Sequence, residues 1–214
     1  AFYRDRLIRA YLGASNSNPD HDEVTGKVEG DDIELSTLDP CINGGPYPLI
    51  NCTLNLVGSE ELWSQQRKAD LFLFSPKFCG SERTAYRPTS EYADGTLTLG
   101  KALAISGAAV SPEMGSSTSA PLAALLTLFN IRLGYWAPTP NRSLWQFSRP
   151  PIWLWYLMRE LFSSTNTNTN FCYLSDGGHH ENLGLYELVK RRCRYIVCCD
   201  AGADPKMSFE DLGN

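Results

Sequence analysis

The chain has 214 residues, 43% of them hydrophobic, and a formal net charge of −5, enough for one sizeable core in a single domain spanning 1–214. The acidic balance argues against the basic stripe that nucleic-acid binding requires, and no run of about eighteen uncharged apolar residues marks a transmembrane helix. Seven cysteines occur without any C-x-x-C spacing, which excludes a zinc ribbon or a dithiol redox motif and favours a reducing compartment.

Apolar groups recur at helical spacing from Phe2 to Leu12 and stop at Gly13, which predicts a helix. Residues 13–32 are polar and acidic and read as a mobile surface loop. His21, between Asp20 and Asp22, is either a solvated loop residue or a metal ligand. Pro48–Val57 is β-rich with partial alternation, and Leu71–Phe74 reads as a second short strand ended by Ser75-Pro76. Residues 77–97, rich in Gly, Ser, Pro and Tyr, read as irregular. Thr98–Val110 predicts a helix of small residues able to pack closely on a sheet, ended by Ser111-Pro112. A polar turn at 113–120 and an apolar helix from Pro121 to about Leu133 follow.

Pro138–Pro151 is broken by proline and carries Trp145. Ile152–Phe162 is short, apolar and aromatic; it reads either as a buried helix or as an interfacial surface, since Trp and Tyr favour the headgroup zone of a bilayer. Residues 165–170 form an Asn/Thr loop. Phe171–Ser175 then reads as a strand, Leu183–Arg194 as a helix and Tyr195–Cys199 as a second strand. Strand, helix, strand implies a βαβ unit, hence an α/β fold with a parallel sheet.

The run Tyr173-Leu174-Ser175-Asp176-Gly177-Gly178-His179-His180-Glu181-Asn182-Leu183-Gly184 places one carboxylate where a strand passes into a loop, the usual position for chemistry in an α/β sheet. Asp176 can shape the turn or act as a general base held by the sheet beneath it. His179 and His180 are the neighbouring candidates. A Ser–His–Asp triad needs the nucleophile elbow G-x-S-x-G, and the nearest approach is Gly115-Ser116-Ser117-Thr118-Ser119. A metal centre on His179, His180 and Glu181 is disfavoured, because adjacent side chains diverge and the H-E-x-x-H spacing is missing.

The Asp176-Gly177-Gly178 run with Asn182-Leu183-Gly184 and the helix after it resembles the patatin-like phospholipase family, whose catalytic Asp lies in a D-G-[GA] motif. Phe74-Ser75-Pro76 and Ala104-Ile105-Ser106-Gly107-Ala108-Ala109 are similar to segments of the related lysophospholipase and cytosolic phospholipase catalytic domains. The resemblance implies a three-layer sandwich on a mostly parallel sheet. It also implies a serine–aspartate dyad without histidine, cofactor or metal, and a lipid or membrane-surface substrate. Asp176 would be the dyad aspartate, with Gly177 and Gly178 in the substrate-binding loop. The nucleophile elbow and the oxyanion loop of the family are not in this sequence. The expectation is therefore that the chain is the C-terminal part of a catalytic domain whose serine lies upstream of Ala1. The alternatives are a lipid-binding or regulatory relative lacking the serine, and an unrelated α/β hydrolase using His179 or His180. The expected location is the cytoplasm or the cytoplasmic face of a membrane.

Overall fold

The two apolar runs identified above form the centre of the sheet. In the computed structural model, which describes residues 2–17, 20, 22, 24, 26, 28–57, 68–109, 134–162, 164–202, 204–209 and 212, β1 (Ile50–Asn55) pairs antiparallel with β2 (Ala69–Phe74) on one side. On its other side it pairs antiparallel with β6 (Phe171–Asp176). With β3 (Phe78–Ser81), β4 (Ala85–Pro88) and β5 (Tyr135–Pro138), the strands run in the order β4-β3-β2-β1-β6-β5 in one curled sheet, every pair antiparallel.

The period of two along β1 sorts its side chains. Ile50, Cys52 and Leu54 face a core made with Phe72, Phe74, Cys172 and Leu174. Thr53 and Asn55 point to the opposite face, where they are buried beside Ser175. On that face a second cluster joins Trp136, Tyr156, Phe171 and Tyr173. Its rings meet edge to face at 4.8 to 5.4 Å, the geometry their quadrupoles favour.

Helix α1 (Phe2–Tyr11) packs on α3 (Leu99–Ser106) over the first core; α2 (Pro40–Asn43) is a single turn. The side chain of Thr98 accepts from the Lys101 N–H at 3.2 Å and caps α3. The close approach of the helices rests on small residues, since a Cβ on Gly100 would lie 2.3 Å from Ile8 Cγ1. Helix α4 (Trp153–Leu161) is fixed to the second cluster by Tyr156 and by Glu160, whose carboxylate accepts from Trp136 Nε1 and Tyr173 OH, each at 3.2 Å. Its other face is open: Trp153 is 64% exposed, Trp155 59% and Phe162 just beyond it 74%. Helix α5 (Leu185–Lys190) follows β6.

The parallel α/β sandwich is thus corrected to an antiparallel sheet. Phe171–Asp176 is a strand and a helix follows it, but Tyr195–Cys199 joins no strand. Tyr195 and Val197 are 82% and 88% exposed, and without that third element no βαβ crossover exists to force parallel pairing. A β-prone run specifies an extended backbone but not its partner. Residues 77–97, read as irregular, instead hold the β3–β4 hairpin. His21, the whole 113–120 turn with its Gly115–Ser119 segment, and the helix from Pro121 to Leu133 lie outside the described residues.

The hairpin turns on Gly80, whose φ is +146° and whose Cβ would sit 2.1 Å from the Ala85 carbonyl oxygen. Gly80→Ala is expected to destabilise the protein by about 2 kcal/mol or more, through strain and the steric clash. Gly45→Ala, where no atom lies within 4 Å, should stay within about 0.5 kcal/mol. Urea unfolding midpoints of the two variants check this, and equal midpoints would refute the hairpin geometry.

Candidate functional site around Asp176

Strand β6 ends at Asp176, whose backbone turns at φ −50° and ψ 132° while its side chain accepts from the Gly178 N–H at 2.8 Å. This is the Asx geometry by which a short carboxylate shapes the turn after it. Only one carboxylate oxygen is used. Among the described residues, Oδ2 has neither a hydrogen-bond donor nor a cation, and Asp176 is half-buried. Gly177 is buried against β1 and Gly178 is exposed. A Cβ at Gly177 would fall 2.6 Å from the Asn51 carbonyl oxygen, so the turn can close only on a glycine.

Among the described residues, three titratable groups are shifted by the Asp176 charge. Cys52, its cross-strand partner, has a thiol pushed well above its usual value by burial and then by Asp176. Tyr3, whose hydroxyl donates to the Gly107 carbonyl, is raised by burial and then by the same carboxylate. His179 is lowered below its ordinary value of 6.5, because burial outweighs the opposing effects of Asp176 and of a hydrogen bond to the Ala109 backbone.

His179 does not bond Asp176. Its Nδ1 lies 3.0 Å from Ser175 Oγ, and Ser175 Oγ also lies 2.9 Å from Asn55 Nδ2. In the neutral tautomer protonated on Nε2, Nδ1 accepts from the Ser175 hydroxyl, leaving that oxygen to accept from Asn55. Ser175 is fully buried, so this chain of bonds holds the loop and presents no nucleophile to solvent. His180 turns to Tyr186, ring to ring at 6.4 Å. Glu181 accepts from the N–H groups of Leu183 and Tyr186 at 2.7 and 3.3 Å, closing the lead into α5. Among the described residues, no three His, Cys, Asp or Glu side chains converge to hold a metal ion.

Ser106, in the segment Ala104–Ala109, is half-buried at the end of α3 and donates to the Asn51 carbonyl at 2.7 Å. It therefore shares that carbonyl with the approach of Gly177. Asn51, Asn55, Tyr3 and Ser175 all escape the sequence reading. Their visible signal is the alternation Asn51, Thr53, Asn55 inside an apolar strand, which marks a polar face even though the structure buries it.

No family model, curated protein or solved structure matches the chain. Among the described residues, no helix is long and apolar enough to cross a membrane.

A histidine held below its ordinary value contributes stability that is present above that value and lost as the pH falls through the folded one. The urea midpoint of the wild-type protein should therefore drop as the pH falls from neutral through 6.5, whereas His179→Gln should flatten that drop. Parallel pH dependence in the two proteins would contradict the half-buried, neutral His179.

Proposed function

We propose that Asp176 is the general base of a lipid acyl hydrolase. It takes the proton of a serine hydroxyl while the serine oxygen attacks the carbonyl carbon of a glycerolipid ester. The ester C–O bond then breaks and the departing alcohol receives that proton. Water, deprotonated by the same carboxylate, attacks the acyl-serine, releases the fatty acid and restores the serine. The observation that carries this reading is the state of Asp176. One oxygen is locked by Gly178 and the other is unoccupied, with no cation beside it among the described residues, so the carboxylate remains available to accept a proton.

Two further features support it. The Asp176–Gly184 run resembles the D-G-[GA] region of patatin-like phospholipases, although the sheet of this chain is antiparallel. The open face of α4 presents Trp153, Trp155 and Phe162, residues that settle at a lipid–water boundary. Peripheral association with a membrane surface belongs to this proposal. The nucleophile is assigned outside the described residues: Ser106 bonds Asn51 and Ser175 bonds His179 and Asn55, and no other serine there bonds Asp176.

The test uses the whole natural protein and a short-chain p-nitrophenyl ester. Asp176→Asn should lower hydrolysis by about 10²- to 10⁴-fold with an unchanged melting curve, while His179→Ala keeps most of the rate. Retained hydrolysis in Asp176→Asn would sink the assignment, and an equal loss in His179→Ala would favour a histidine mechanism. The double variant Trp153→Ser/Trp155→Ser should slow hydrolysis of phosphatidylcholine in vesicles but not of the soluble ester. Vesicle binding by a wild-type protein that hydrolyses neither substrate would mark a lipid-binding module instead.

A further inference from the structure

A cavity of about 740 Å³ opens between α1, α3 and the segment 134–149. Of the four described carboxylates on it, two, Asp5 and Asp31, are paired with arginines. Asp5 pairs with Arg4 at 2.9 Å, Asp31 with Arg9 at 3.1 Å, and Asp32 Oδ1 accepts from the Gly100 N–H at 2.8 Å; Glu29 is exposed. The first amide groups of α3 are likewise used, since Leu99 N–H donates to the Ile33 carbonyl and Lys101 N–H to Thr98 Oγ1. A ligand here therefore meets side chains, not a bare helix terminus.

The cations on the other side are not engaged in that way. Lys101 is half-buried, its Nζ stands 4.6 Å from the centre of the Tyr135 ring, and no carboxylate pairs with it among the described residues. Arg149, exposed on the same cavity, has no ion pair among them either. Burial first, then the nearby charges of Arg149 and Arg4, lower the Lys101 pKa to about 8, against a smaller opposing pull from Asp94. Two unpaired cations facing one polar cavity, with the hydroxyls of Thr96 and Ser148 on its wall, form a cluster whose mutual repulsion an anion would relieve.

We propose that this cavity binds a phosphate group, held by Lys101 and Arg149. The ligand is a phosphate monoester, either the headgroup of a lipid or a free phosphate compound. The proposal goes beyond hydrolysis at Asp176, because binding is measurable where no ester is turned over.

Calorimetric titration of the whole protein with inorganic phosphate, and sedimentation with phosphatidylcholine vesicles containing phosphatidic acid, provide the test. Arg149→Met and Lys101→Met should each weaken phosphate binding by about tenfold or more, and Lys101→Arg should largely restore it. Parallel weakening on phosphatidic acid vesicles identifies a lipid headgroup; weakening for inorganic phosphate alone identifies a soluble ligand. Both outcomes support the site. Wild-type protein that binds neither probe, or Arg149→Met that binds both as the wild type does, overturns it. Arg149 is exposed, so its variant remains informative even if Lys101→Met fails to fold. Loss of phosphate binding with ester hydrolysis intact, or the reverse, separates this site from Asp176.

Discussion

The contact on which the arrangement depends is the approach of Gly177 to the Asn51 carbonyl, where a Cβ would be 2.6 Å from the oxygen. That closeness fixes the turn after β6 against the start of β1. It holds together with the register Cys52↔Asp176, Thr53↔Ser175, Leu54↔Leu174. A slip of one residue would send Asp176 to the opposite face and bring Ser175 to the α1–α3 side. The same carbonyl receives the Ser106 hydroxyl, so one backbone group locates both the turn carrying Asp176 and the end of α3. Position and availability of the carboxylate thus follow from strand pairing and a missing side chain, with no dedicated positioning residue.

The opposite face of the same strands solves a different problem. Thr53, Asn55 and Ser175 are completely buried, and buried polar groups are destabilising unless hydrogen-bonded. Thr53 donates to the Gly177 carbonyl at 3.3 Å, while Asn55, Ser175 and His179 form a continuous chain. These bonds couple the sheet interior to the loop that begins at Asp176. His179 is therefore absorbed by structure: its Nδ1 is engaged by a serine that solvent does not reach. That removes the physical basis for a Ser–His–Asp relay at this loop, and leaves Asp176 as the group with a spare acceptor.

Much of the local structure was legible because it is written in periodicity and stops. Phe2–Tyr11 ends beside Gly13, Leu99–Ser106 starts at Thr98, and the apolar Leu71–Phe74 run ends at Ser75-Pro76, and each agrees with local propensity. The β3–β4 hairpin is hidden because the residues that shape it, Gly80 within β3 and Ser81 and Thr84 at its turn, are those that also compose loops. Ser81 and Thr84 exchange reciprocal N–H to Oγ bonds at 3.1 Å, a feature without a hydrophobic signature. Sheet direction is not written in connectivity alone. Tyr195–Cys199 has the composition of a strand, but pairing is decided by which edges are near, and β6 already has β1 on one side and β5 on the other. Asp176 itself was legible as a strand-end carboxylate, whereas its surroundings were assembled from residues 3, 51–55 and 106, distant in sequence.

Charge placement links the two candidate centres. A carboxylate that is to accept a proton must keep its charge uncompensated, and so must a cation that is to bind an anion. In a chain of net charge −5, each would be silenced by facing the other. Neighbouring residues of helix α1 meet each of them. Tyr3 stands in the field of Asp176, while the next residue, Arg4, acts on Lys101 and pairs with Asp5. The carboxylate acting on Lys101 is Asp94, which is already engaged by the Ser148 N–H at 3.1 Å. Tyr3 also lines the cavity, so one neutral aromatic group stands both in the field of Asp176 and on the wall that carries Lys101.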